Sequence, residues 1–310
     1  MTKYHLKIKN SIINLFIILF VIVLFYLCLF NYENLYNNIF ISLDLWLYKV
    51  FPPLFIFYFI STLLISTKSI NMILYLFKPL NKIMKFDTIN GFNLFIISMF
   101  LGNPTTASLI NDYYESNMIT LKDSIVLSKC ASFINPLFIF SIISNKSLSI
   151  IIYLSHVLTN IIIAIYSSNI YSSNIYSSDI YSSNIQNNNA INLTFFNQMN
   201  KFPHILLCIA SFMILSYIVI TIISLISINT NFTYLNYISL IVEVSYSTNY
   251  LKDNYIYLIP SIISFNGLCI HLQVNQHLKT IKYTTFFIYR LIASIISLII
   301  YVILHFLINL

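Results

Sequence analysis

Charge is what this 310-residue chain has least of: 8% of its residues are Asp, Glu, Lys or Arg. Soluble domains carry about three times that share, so a water-facing globule is excluded. Glycine is almost as scarce, with three in the whole chain, and no glycine-rich phosphate loop is present. The four cysteines, Cys28, Cys130, Cys208 and Cys269, all lie within or beside apolar runs. Their spacing fits neither a metal site nor a secreted disulfide framework. Catalytic arrangements are missing as well. Asp112 and Glu115 read as lying on a solvated turn, and His271 and His277 are six apart, off the one-face spacing of a helix. With no nucleophile beside a base, the expectation is a protein that is not an enzyme and takes no cofactor or metal.

What fills the chain is apolar: 58% of residues are hydrophobic, 16% are aromatic, and the mean hydropathy is +0.83. The fold class that follows is all-α, a polytopic helical membrane protein in the cell membrane, with lipid as its first partner. Abundant Ile, Tyr and Asn also carry the mark of AT-rich coding, which lowers the meaning of their counts. The formal charge of +7 would suggest nucleic acid in a soluble domain. Here the basic residues sit beside apolar spans and read as topology signals, so no nucleic-acid partner is expected.

Residues 1–38 read as an N-terminal transmembrane anchor. Lys3, Lys7 and Lys9 precede an apolar run over 11–30 that is long enough to span, longer than a signal-peptide core and without a small-residue cleavage site after it. Residues 39–166 form a first membrane unit: an interfacial helix over 39–50 carrying Asp44, Trp46 and Lys49, then a span beginning near Pro52 and Pro53. A basic amphipathic segment follows over 68–87. Next, a rod over 92–101, too short to span, stops at Gly102-Asn103-Pro104 and returns through 105–118, which suggests a re-entrant hairpin. Thr120 with Asp123 three residues on marks another helix start. Residues 148–166 span, and the lone His156 there reads as an interhelical hydrogen bonder.

Residues 167–201 are expected to form a flexible loop, because Ile-Tyr-Ser-Ser-Asn recurs from Ile165, Ile170 and Ile180 and such a period builds no core. Residues 202–310 form a second unit, opening at Phe202-Pro203 as the first opens at Phe51-Pro52. The last span covers 283–308 and holds Arg290, which reads as an interfacial anchor. Lysines cluster near the N-terminus, in 68–85 and at Lys279 and Lys282, and the positive-inside rule puts those three clusters on the cytoplasmic side.

Two interruptions organise the rest. Asn135-Pro136 breaks one apolar stretch and Asn266-Gly267 another, and proline strands backbone carbonyls that hydrocarbon cannot satisfy. Paired breaks in two half-chains point to a transporter-type binding site near the bilayer midplane. The candidate solute-binding residues are therefore Asn135, Pro136, Glu243, Asn266, Gly267 and Gln273, with Gly102, Asn103 and Pro104 forming the re-entrant break. Glu243 is a carboxylate near membrane depth, for which pairing with Lys252 at the interface is the competing reading.

Several of these residues stand in an order that resembles a known family. Phe51-Pro52, Gly102-x-Pro104 with Ala107, Asn135-Pro136-Leu137-Phe138-Ile139, Glu243-Val244-Ser245, Phe265-Asn266-Gly267-Leu268 with Gln273, and Tyr289-Arg290 are similar to YlbJ-type sporulation integral membrane proteins, of the nucleoside-recognition or Gate domain group. The chain departs from that pattern at Thr106, Ser247 and the Ala131-Ser132-Phe133 run. The resemblance implies a bacterial membrane protein needed for making resistant spores and related to nucleoside-transporter gating domains. It makes the two units Gate-like repeats. Two expectations follow, a carrier or gate for a small polar solute and, alternatively, a non-transporting structural or assembly factor of the forespore membrane. A homo-oligomer is compatible with both.

Overall fold

The structure is a computed structural model describing residues 2–67, 69, 74–174, 195–230, 232–253 and 255–308. It is helical, with no strand among those residues. Among the described residues five stretches are long and apolar enough to cross a membrane: Tyr32–Ser66, Lys146–Tyr171, Phe195–Thr230, Ile256–Asn275 and Tyr283–Leu307. The chain is an all-α, multi-pass membrane protein.

Helix α1 (Thr2–Phe30) precedes a single rod made of α2 (Tyr32–Leu45), a π-wound turn (Trp46–Val50) and α3 (Phe51–Ser66). This corrects the expected division into an anchor ending at residue 38, an interfacial helix and a separate span. Pro52 and Pro53 have no N–H to give, so the carbonyls one turn before them lose their partners. The wider π turn absorbs that defect: Phe51 N reaches back to Trp46 O, and the rod continues through the prolines.

Of the basic segment over 68–87, residues 68 and 70–73 lie outside the described residues; the rest includes the short α4 (Lys78–Met84). Four short helices follow: α5 (Ile89–Leu101), α6 (Thr105–Glu115), α7 (Leu121–Cys130) and α8 (Pro136–Ile142). Then come the long α9 (Lys146–Asn174) and α10 (Phe195–Thr230). Their ends lie inside the stretch expected to be a loop, so the loop boundaries at 167 and 201 are too wide; residues 175–194, which hold most of the repeat, are outside the described residues. The Tyr-Ser-Ser copies up to Asn174 simply continue the helical ladder, and Ser167 and Ser168 are buried. Pro203 sits inside α10 rather than at its start. It costs one ladder hydrogen bond, while Phe202, Ile205, Leu206 and Ile209 around it are buried against the core.

Further short helices follow α10: α11 (Asn236–Val242), α12 (Val244–Leu251), α13 (Ile259–Phe265) and α14 (Gly267–Asn275), closed by α15 (Tyr283–Ile308). On α15 every residue is apolar or small over long stretches, so polarity cannot say which face turns inward. Burial does: Phe286, Arg290, Ala293, Ser297 and Tyr301 are buried at helical spacing, while Ile288, Ile295, Ile299, Val302 and Phe306 face out. The inward face packs on α9 and α13. Small residues let the backbones close up there, with Ser155 Oγ 3.4 Å from Ser297 Oγ.

Candidate functional site

Gly102 ends α5 at φ 74°, where a β-carbon would stand 2.9 Å from the backbone nitrogen of Asn135. Only glycine permits that approach. Beside it Asn103 N donates to Phe133 O at 2.9 Å, so the Gly102-Asn103-Pro104 break lies along the extended residues that join α7 to α8. Asn135 caps α8: its Oδ1 accepts from Leu137 N at 2.9 Å, and Pro136 fills the first helical position, where no N–H is needed. The amide nitrogen of Asn135 donates to Phe100 O at 2.9 Å and Pro53 O at 3.4 Å. One side chain thus ties α8 to the end of α5 and the start of α3. The neighbouring Ile134 N donates to His156 Nε2 at 3.2 Å, which leaves the ring proton on Nδ1, facing Ser264 Oγ at 2.8 Å. His156 is therefore a spent interhelical bonder.

The second-half breaks meet in the same manner. Glu243, 4% exposed, sits in extended backbone between α11 and α12, and its Oε2 accepts from Tyr246 N at 2.9 Å and from Ser245 Oγ. No ion pair to Lys252 forms, so the interfacial reading of Glu243 does not hold. Asn266 and Gly267 both adopt positive φ, 76° and 56°, to join α13 to α14. A β-carbon on Gly267 would lie 3.3 Å from Val244 N, so this break presses on the one at Glu243.

The two asparagines expected to face each other bond to different partners. Asn266 Nδ2 donates to Ser132 Oγ at 2.5 Å and to Ser132 O at 3.3 Å, while Asn135 turns to Phe100 and Pro53. Asn103 Nδ2 also reaches Ser132 Oγ, at 2.5 Å. Ser132, in the extended run between α7 and α8, therefore joins that break to those at Asn103 and Asn266. Arg290 completes the cluster from α15: Nη2 donates to Lys129 O at 2.5 Å, and Nη1 to Asn160 Oδ1 at 3.1 Å and Ser132 O at 3.3 Å. Fully buried, the chain's single arginine binds the carbonyl end of α7 rather than a carboxylate, a cation at the negative end of a helix. The expected interfacial anchor is thus a core residue. Asn266 Oδ1 and Arg290 Nε have no hydrogen-bond partner among the described residues.

Beside this cluster a cavity of about 60 Å³ is lined by Asn103, Asn135, Glu243 and Gln273, with Leu54, Met213 and Ile270 among its apolar walls. Four of the expected site residues thus share one space. Gly102, Pro136 and Gly267 act through backbone geometry, and Asn266 is part of the wall's support rather than its lining. No group of three His, Cys, Asp or Glu among the described residues is placed to hold a metal.

Over 130 residues the chain is 30% identical to the sporulation integral membrane protein YlbJ of Bacillus subtilis strain 168. That stretch is 40% of this chain and 32% of the relative, so the chain spans about a third of the relative's length. No protein-family description matches the chain, and no solved structure does.

Two residues central to the site, Ser132 and Arg290, were not expected there. A serine three positions before Asn135 carries no signal in sequence. Arg290 did carry one: an arginine amid apolar residues on a span must find acceptors, and the carbonyl end of a broken helix supplies them. Asp112 is also buried rather than solvated, accepting from Lys201 Nζ at 2.7 Å and Gln198 Nε2 at 3.3 Å.

Proposed function

We propose that this chain is a carrier or gate for a small polar solute in the membrane of a spore-forming bacterium, and that spore formation needs it. The sporulation part rests on the similarity to YlbJ. The carrier part rests on one observation: Asn103, Asn135, Glu243 and Gln273 line a single cavity where broken helices meet. Its free volume is about 60 Å³, below the ~300–1,000 Å³ of small-molecule pockets, so a solute larger than a few waters needs the breaks to part. Mostly apolar walls with a few polar groups are the usual makeup of such a site. Glu243 is the one acidic residue in the lining, and its carboxyl group can hydrogen-bond a hydroxyl or amino group of the solute. The reading assigns no catalytic step. It treats the two halves as related units, each contributing one pair of touching breaks.

The non-transporting alternative draws on a specific observation too: Asn135 and Asn266 bond the protein's own backbone. Substituting those asparagines would disturb folding under either reading. The separating variants are Glu243→Gln, which keeps the shape of the cavity wall, and Met213→Trp, which fills the space. Each is expressed in Bacillus subtilis in place of its YlbJ, and the small-molecule content of the spores is compared with that given by the unaltered chain. The carrier reading expects both variants to reach the membrane at normal levels and to deplete one polar metabolite together with spore resistance. Normal spores with unchanged metabolite content from both would reject it.

A further inference from the structure

The cavity does not stand alone. A second, smaller space of about 20 Å³ is lined by Pro104, His204, Ile205, Cys208, Gln276 and His277, and it shares Gln273 with the first. Its rim residues His204 and Gln276 are exposed and its shared floor residue Gln273 is buried, so the two form an outer and an inner chamber on either side of one side chain. The rim lies near the ion pairs Lys201–Asp112 and Lys279–Glu115, a charged belt suited to water or headgroups and not to hydrocarbon.

Gln273 is also held differently from the other polar residues of the lining. Asn135 is fixed by three hydrogen bonds to backbone groups, and Glu243 accepts a backbone N–H. The Gln273 amide instead donates to Cys269 Sγ at 3.3 Å, one turn back on the same helix. A thiol sulfur is a weak acceptor, so swinging this side chain aside breaks little.

Resting on the carrier reading, we propose that the inner cavity is reached from the Lys201–Lys279 face through the His204–His277 vestibule, with Gln273 as the movable constriction between them. The solute passes the imidazoles and the Gln276 amide at the rim before it meets Glu243. Gln273 then decides how large a solute gets through.

Two native cysteines mark the route, because Cys208 lines the vestibule and Cys269 the inner cavity. Buried Cys130 serves as an internal reporter that the chain is folded. The full chain is reconstituted in sealed vesicles and exposed on one side or the other to a charged, membrane-impermeant methanethiosulfonate, and modification of each cysteine is followed by peptide mass spectrometry. A Lys279→Cys variant identifies the face. Cys208 should react from the side that modifies position 279, and Cys269 should react slowly from that same side. Gln273→Ala should speed Cys269 by about tenfold, the size of a lost weak bond and its obstruction, with Cys208 unchanged and Cys130 protected. Should Gln273→Ala unprotect Cys130, Gln273→Asn, which draws the amide back by one methylene, carries the same expectation. Reaction of Cys208 from the opposite face only, or a Cys269 rate indifferent to position 273, would overturn the route. Transport itself is not needed for this readout. A chain that passes it yet leaves spores unchanged in the Glu243→Gln and Met213→Trp experiment would lose the carrier reading and keep the water-filled route.

Discussion

Arg290 and Asn266 converge on one oxygen: the guanidinium Nη1 and the amide Nδ2 each donate to the Ser132 carbonyl at 3.3 Å. The Ser132 hydroxyl oxygen meanwhile accepts from Asn103 and Asn266, so one serine collects donors from three separate elements. Ser132→Ala removes the hydroxyl and leaves the carbonyl. Asn266 keeps an acceptor, whereas the Asn103 amide is left facing an apolar methyl group. The expected loss is about 1–3 kcal/mol, the cost of a buried donor without a partner. Thermal unfolding of the detergent-solubilised protein measures it; a melting point within error of the parent would mean that water reaches Asn103 and replaces the serine.

Arg290 is the sharper test of how the breaks are held. Its fork meets Lys129 O, Ser132 O and Asn160 Oδ1 at once, and a lysine ammonium placed on a shorter, unforked stem cannot serve all three. Arg290→Lys keeps the charge, so an interfacial-anchor role would leave it nearly neutral. The buried role predicts a loss of about 3 kcal/mol or more, comparable to breaking one partner of a buried charged network, read as lower yield and a lower melting point.

The glycines at the breaks should differ in cost. At Gly102 an added β-carbon meets backbone, Asn135 N at 2.9 Å; at Gly267 the nearest atom is the Val244 Cγ2 methyl at 3.1 Å, with Val244 N at 3.3 Å. Both also demand positive φ, which costs a β-carbon roughly 1–2 kcal/mol by itself. Gly102→Ala should therefore destabilise more than Gly267→Ala, since a methyl can shift by tenths of an ångström and a hydrogen-bonded backbone cannot. Equal melting points for the two would contradict the close packing of Gly102 on residues 133–135.

Burial pushes the His277 imidazole below its ordinary value of 6.5, with the nearby Asp112 carboxylate opposing the shift. The fold thus prefers the neutral ring, and below the ordinary value the unfolded chain binds the proton more readily than the folded one. Stability should fall as pH drops from 6.5 toward the lowered value and be unaffected by this group well above 6.5. His277→Gln should flatten that part of a stability-versus-pH curve; an unchanged slope would place the dependence elsewhere.

Much of this was legible in the residues. Low charge and long apolar runs specify a helical membrane protein, and Gly102, Asn135-Pro136 and Asn266-Gly267 mark real interruptions because each removes a donor or needs an unusual φ. What sequence could not give was where a continuous rod survives its prolines. Pro52 and Pro53 look like a start, yet a π-wound turn carries the helix through, and Pro203 sits mid-helix in α10. Nor could spacing reveal which breaks touch. Asn103 meets Asn266 through Ser132, a contact between residues far apart in sequence that depends on how α7, α13 and α15 pack.

Asp123 and Asp87 separate a buried carboxylate from an exposed one within a single turn of space. Asp123, fully buried, accepts from Asp87 N at 2.8 Å, Thr88 N at 2.9 Å and Thr88 Oγ1 at 2.6 Å, so it holds the start of α5 against α7. Thr88 in turn caps α5 by accepting from Gly91 N at 2.9 Å, and a β-carbon on Gly91 would collide with the Asp123 carboxylate. Asp87 instead pairs with Lys122 at 2.6 Å on the surface. Asp123→Asn leaves one oxygen to serve three donors and turns an amide toward them, which should cost about 2–3 kcal/mol. Lys122→Ala breaks the surface pair and should cost less than about 1 kcal/mol, shrinking further in high salt. Melting the two variants at low and high salt checks both, and a larger loss for Lys122→Ala would show that the α5–α7 junction is held from the surface and not by its buried carboxylate.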